Sequence, residues 1–215
     1  GNLSLWKNKV SDQHEAVLLS GNVKYLPDGL GNSLPTIDTS NGTLKVLDSN
    51  LSFDQWESLT LSMAFKWTSR SSWNGALWKA NSSTSSSSGY SIAKMNTNNN
   101  QATGFWYGTT GSSQRLVGSI ATEAILETKV LTVVCGGSLG SVKLFANGVQ
   151  VSSNTNFPPR ILEASEYDLK IGGNHLFSEI LIYEDALNST EREGLEKYLM
   201  RKWLSNRSSV LIDSN

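Results

Sequence analysis

The fold is decided by residues 128–151, TKVLTVVCGGSLGSVKLFANGVQV. Residues 128–135 form a nearly continuous apolar run that Gly136 and Gly137 stop, the pattern of a strand covered on both faces and too short for a helix. Residues 141–146 and 149–151 then flank Asn147-Gly148. Asn-Gly between two strand-like runs favours a type I′ turn, because both residues tolerate positive φ, and so predicts a tight hairpin. Upstream, Leu59, Leu61, Met63, Phe65 and Trp67 alternate with Thr60, Ser62, Ala64 and Lys66, which predicts a half-buried strand. Shorter runs at 76–79, 90–95, 102–107, 168–171 and 179–183 read as further strands. Punctuated strands at this spacing indicate an all-β sandwich. The Ser/Asn-rich stretches 81–88 and 96–100 read as solvated loops.

Helical period is confined to the C-terminal part, where Leu195, Tyr198, Leu199 and Trp203 share one face. Asn188, followed three residues later by Glu191, supplies an N-cap with a capping-box partner. Lys197, Arg201 and Lys202 sit toward the end where the macrodipole favours cations. The spacing predicts one α-helix over about 189–203 that packs back on the sandwich, since such an apolar stripe does not stay in water. Residues 1–204 then form one domain, and 205–215 a tail or a linker to more protein.

The 215 residues carry 18 Lys+Arg against 19 Asp+Glu, a net charge of −1, and only 17% are charged. That is below the roughly 25% of ordinary globular chains and argues against nucleic acid as a partner. No apolar run approaches the roughly 20 residues of a membrane span, and residues 1–10 lack the apolar stretch of a signal peptide. Polarity comes instead from Ser, Thr, Asn and Gly, as in extracellular, cell-surface and virion β-proteins. The single cysteine, Cys135, excludes a disulfide framework and reads as a buried free thiol. With only His14 and His175 beside it, the ligand set for zinc is missing.

The order of these pieces resembles the laminin G-like domains of the concanavalin A-like lectin and glucanase superfamily, in the version with a terminal helix found in bacterial secreted proteins and phage fibres. Residues 131–203 carry the resemblance. There "LTVVCGG…VKLFANGVQV", "LKIGGN" and "FSEILIYEDALNSTEREGLEKYLMRKW" follow the family's strand, Asn-Gly hairpin, Gly-rich turn, Glu-bearing strand and closing helix. "SLWKNKVSDQHEAVLLS" and "LTLSMAFKW" resemble its opening segment and first long core strand. The resemblance implies a jelly-roll sandwich of two antiparallel sheets, a fold that hosts lectins, adhesive modules and glycan-cleaving enzymes alike. It also implies a structural calcium at the sandwich rim, with Asn174, Asp38 and Asp48 as matching candidates, although "HLFS" replaces the family's frequent Asp-Gly.

Glycan hydrolysis needs two carboxylates across the scissile bond. Jelly-roll glucanases place Glu, Asp and Glu along one strand, whereas "EILIYED" offers Glu179 with Leu181 in the middle place and Glu184 on the opposite face. His14 and His175 sit in no Gln-x-His lyase pattern, and no Gly-x-Ser-x-Gly or phosphate loop is present. An enzyme is not expected. Seven tryptophans are many for this length, and aromatic faces can hold the apolar face of a sugar. Trp67 and Trp203 are in phase with core residues, and Trp6 and Trp56 read as core or edge fillers. Trp73, in "RSSWNG" with Arg70 and Asn74, is a candidate sugar platform or, alternatively, a plug at the open end of the sandwich. Trp78 and Trp106 point outward if Leu77 and Phe105 point in, and Arg115 is a candidate polar contact.

The expected function is a noncatalytic, extracellular carbohydrate-binding or adhesive module of a larger secreted, surface or virion protein. Its partner would be a glycan or cell-surface polysaccharide, bound weakly per site and strengthened by repeated modules or an oligomer. The alternative is a structural or protein-interaction module with no glycan ligand, which would bury Trp73, Trp78 and Trp106.

Overall fold

The computed structural model describes residues 1–7, 9, 14–46, 58–69, 74–80, 89–97, 100–109, 112–119, 126–136, 140–155 and 167–205. Among them the elements run β1 (Asn2–Leu3), β2 (Leu5–Trp6), β3 (Ala16–Leu26), β4 (Thr36–Val46), β5 (Leu59–Trp67), β6 (Asn74–Ala80), β7 (Gly89–Thr97), β8 (Asn100–Thr109), β9 (Ser112–Ser119), β10 (Thr128–Gly136), β11 (Ser141–Ala146), β12 (Val149–Asn154), β13 (Lys170–Ile171), β14 (His175–Tyr183) and α1 (Ser189–Trp203). The all-β sandwich with one C-terminal helix is therefore what forms.

Its two layers are parts of one curled antiparallel sheet, ordered β12-β11-β10-β5-β14-β4-β13-β6-β7-β8-β9. Long β4 joins the layers, pairing β14 through Ile37 and Asp38 and β13 through Leu44 and Lys45. The two ends of the order, β9 and β12, meet and close the fold. The core lies between the layers. Leu59, Leu61, Met63, Phe65 and Trp67 of β5 face Leu77, Tyr90, Ile92 and Phe105 of β6, β7 and β8 within one apolar cluster. Cys135 is buried there as a free thiol.

The predicted Asn147-Gly148 turn has φ of 50° and 81°, as a type I′ turn requires. Asn147 also exchanges hydrogen bonds with Val130: its Oδ1 accepts from the Val130 N–H at 2.9 Å and its own N–H donates to the Val130 carbonyl at 2.8 Å. Asn96, Thr97 and Asn100 lie in strands rather than in the loop expected over 96–100; residues 81–88 and 98–99 lie outside the described residues. Asn96 pairs with Gln101 and Thr97 with Asn100, because a backbone ladder can run to the tip of a hairpin without apolar side chains to mark it. Strands β3 and β4 gave no clear period, since bulges between Leu18 and Ser20 and between Asn22 and Lys24 break their alternation. At their close approach Gly21 sits opposite Gly42 with φ of 70°, and a Cβ on Gly21 would stand 2.1 Å from the Asn41 carbonyl oxygen.

Helix α1 packs on the outer face of the β5–β10 layer. Leu199 and Trp203 join Ala64 and Val130, flanked by Leu30, Leu34, Leu181 and Leu195. The capping box at Asn188 forms as predicted, with its side chain accepting from Thr190 and Glu191 and the Glu191 carboxylate accepting from the Asn188 N–H. Tyr198 departs from the predicted stripe and is 46% exposed, whereas Arg192 and Glu196 are buried. These two charges are tolerated because they pair with each other and Arg192 stacks 3.9 Å from the Phe145 ring centroid.

Candidate functional site

Glu179, the carboxylate that a glycan-cleaving strand would use, faces the helix. Strand β14 has a bulge between Phe177 and Glu179, so His175 and Phe177 point into the core, and beyond the bulge Ile180 and Ile182 do so again. Without the extra residue Glu179 would share the inner face. Instead it accepts hydrogen bonds from Trp203 Nε1 at 2.7 Å, Lys202 Nζ at 2.8 Å and the Tyr198 hydroxyl at 3.1 Å. Burial pushes its pKa up, but these donors and the Lys202 charge outweigh that and hold it below the usual carboxylate value. A carboxylate so held is a poor general acid.

The aromatic candidates separate. Leu77 and Phe105 are fully buried in the core, and the ladders align Lys170, Trp78, Ser91, Trp106 and Arg115 in one row on the opposite, outer face. Trp106 is nonetheless only 5% exposed and clusters with Ala93, so it presents no open ring. Trp78 is half-buried, and its ring lies where a Cβ on Gly172 would meet it at 3.0 Å. Arg70, Trp73 and Asp48 lie outside the described residues.

The rim candidates converge on one end of the sandwich. Thr68 donates to the Asn174 carbonyl at 2.9 Å, and Thr39 Oγ1 donates to the Gly173 carbonyl at 2.8 Å. The Asp38 carboxylate accepts from the Ser40 N–H at 2.9 Å, and the Ser40 and Thr68 hydroxyls are 3.1 Å apart. Asn74 of β6 pairs with Lys94 in β7. Of the two sequence-derived groups, Asp38 and Asn174 thus belong to the same end. Of the residues described there, the Asn174 carbonyl and the Asp38 carboxylate each accept one backbone N–H, and the charge buried beneath them, the Lys94 ammonium, disfavours a cation. Among the described residues no group of three or more His, Cys, Asp or Glu could hold a metal ion.

A cleft of about 500 Å³ opens over the inner face of β14, where Ile180 and Ile182 line it together with Trp6, His14, Lys7 and Lys9. Beyond Phe177, the side of β14 that faced β4 has no strand partner among the described residues. Sequence reasoning missed this cleft: Trp6 reads as filler and His14 sits in no motif. Only the divergence of two strands distant in sequence creates it.

No family model matches the chain, and no curated protein matches it in sequence. Solved structures do match. A structure from work on cell entry of botulinum neurotoxin type C, dependent on interaction with two ganglioside molecules, superposes with a TM-score of 0.69 at 15% identity, covering 92% of this chain and 51% of that one. The binding domain of botulinum neurotoxin DC in complex with rat synaptotagmin II gives 0.67 at 15%, with the same coverages. The same domain in complex with SialylT gives 0.65 at 16%, again over 92% and 51%. At these identities the likeness is one of fold. The chain spans about half the length of each of these structures, so the ligands belong to longer proteins than the part matched.

Proposed function

We propose that the chain is a noncatalytic binding module for cell-surface carbohydrate, acting outside the cell as part of a larger protein. The observation that carries this reading is the cleft beside β14, which sets Trp6 and His14 beside an apolar floor that includes Ile180 and Ile182. Recognition sites for small ligands have that composition, mostly apolar with a few polar groups. Two facts support it: the engagement of Glu179 by the helix, and the fold shared with receptor-binding domains of which one is bound to SialylT. Trp78, with Arg115 in the same row, is a second surface for the same role.

The test is a glycan array probed with the domain alone and in multimerised form. Wild type is expected to bind a defined set of glycans, Trp6→Ala to lose at least tenfold, and Trp78→Ala to report on the second surface. No signal from the multimer on bacterial, algal or animal glycans overturns the reading. A protein-interaction module is favoured by one observation, the side of Glu179–Tyr183 away from β5, which has no strand partner among the described residues and lies beside aliphatic Val46, Leu169 and Ile182, and which suits an extended peptide added as a strand. Backbone amide shifts confined to β14 on peptide addition, with a silent glycan array, would select it.

A further inference from the structure

Beneath the rim, four polar side chains are enclosed between the layers: His175, Lys94 and Thr103 at 0% exposure and Trp67 at 1%. They are neighbours. The Trp67 and His175 ring centroids are 4.1 Å apart, Lys94 Nζ lies 5.6 Å from the Trp67 ring centroid, and Thr103 faces Lys94 across the β7–β8 ladder. Yet among the described residues Trp67 Nε1, Thr103 Oγ1 and both ring nitrogens of His175 have no hydrogen-bond partner. The Gly172 and Gly173 backbone favours the protonated imidazole without giving either nitrogen a well-formed bond. Among the described residues Lys94 has one acceptor, the Ser69 carbonyl, for three N–H groups.

Buried polar groups are almost always satisfied, so such a cluster in a native fold calls for an unseen partner. Its chemistry says which kind. An ammonium and an indole N–H can only donate, and a neutral imidazole and a hydroxyl each add one donor. No carboxylate pairs with Lys94 among the described residues, whereas the other buried lysine of this end, Lys129 on β10, has Glu127 as its counter-charge. Burial lowers the Lys94 pKa to about 8, which still leaves the amine largely protonated at neutral pH. Water would satisfy the N–H groups but leave that charge uncompensated, which is costly in an interior.

We infer that this end of the sandwich encloses one small monovalent anion of halide size, held by Lys94, Trp67 and His175 with Thr103 as a fourth donor. An anion there neutralises the ammonium and ties β5, β7, β8 and β14 together beneath the rim that carries Thr39, Thr68 and Asn174. It is independent of the carbohydrate reading, which uses the cleft beside β14.

Crystals of the wild-type protein soaked in sodium bromide test it directly. The expected anomalous map shows one bromide within hydrogen-bonding distance of Lys94 Nζ and Trp67 Nε1. Ordered water alone at that place, or bromide only on the surface, overturns the inference. In solution, replacing sodium gluconate by sodium chloride at equal ionic strength should raise the melting temperature saturably, and Lys94→Met, which keeps the stem's bulk, should abolish that rise. A bromide peak without a saturable chloride response, or a response retained in Lys94→Met, overturns it as well.

Discussion

Glu179 occupies the strand position at which a glycan-cleaving jelly roll does chemistry, yet Trp203, Lys202 and Tyr198 of one helix take its carboxylate. Replacing it with alanine leaves Lys202 and Trp203 without their acceptor. Hydrogen bonds to charged groups contribute about 1.5–3 kcal/mol, so Glu179→Ala should cost about 2–3 kcal/mol in urea unfolding at pH 7. Because its folded pKa is depressed, this contribution is present above the usual carboxylate value and is lost as pH falls below it. His175 acts in a different window. Burial lowers its pKa from 6.5 to about 3, so between those values the unfolded chain binds a proton that the folded one does not. Stability should therefore fall as pH drops from 6.5 toward 3, by up to about 1.4 kcal/mol per pH unit. Urea midpoints measured at pH 7, 6, 5 and 4 check this, and His175→Phe should flatten the slope above pH 5 without touching the Glu179 component below it.

Among the elements, α1 is fixed from several sides. Leu199 and Trp203 are buried on the sheet, the Asn32 side chain donates to the Trp203 carbonyl at 3.2 Å, and Gly148 of the hairpin turn lies under Met200. Burying each large side chain contributes roughly 1.5–3 kcal/mol, and each kcal/mol shifts the melting temperature of a domain this size by about 2–4 °C. Removing residues 189–215 should therefore lower the melting temperature by about 10 °C or more, or cause aggregation through the uncovered Ala64 and Val130 face, as read by calorimetry and light scattering. A truncated domain that melts like the full chain, with the intact helix driving dimerisation, would make α1 an assembly device. The caps and last-turn cations of this helix were legible because they are set by residues within one turn of each other. The engagement of Glu179 was not, since it depends on a bulge in β14 that flips every later side chain.

Across the whole molecule, the central strand β5 pairs with β10 and β14, which lie roughly 70 and 115 residues further along the chain. Such non-local pairing has to close long loops before it is rewarded, so refolding should take milliseconds to seconds or longer. Stopped-flow tryptophan fluorescence would show it, and a sub-millisecond major phase would contradict it. The sequence by itself determined the all-β class, the β5 and β10 core strands, the Asn147-Gly148 turn and the capped helix, because each rests on alternation, turn chemistry or capping among near neighbours. It also brought Trp67, Asp38 and Asn174 into view, without saying that they share one end. Only the tertiary structure decided that Trp106 is covered, that Glu179 serves the helix, that a cleft opens beside β14, and that Lys94 meets Trp67 and His175 in the interior. The physical reason is common to all four: register shifts and strand pairings between distant segments choose which face a residue takes and what it meets, and no local pattern encodes either.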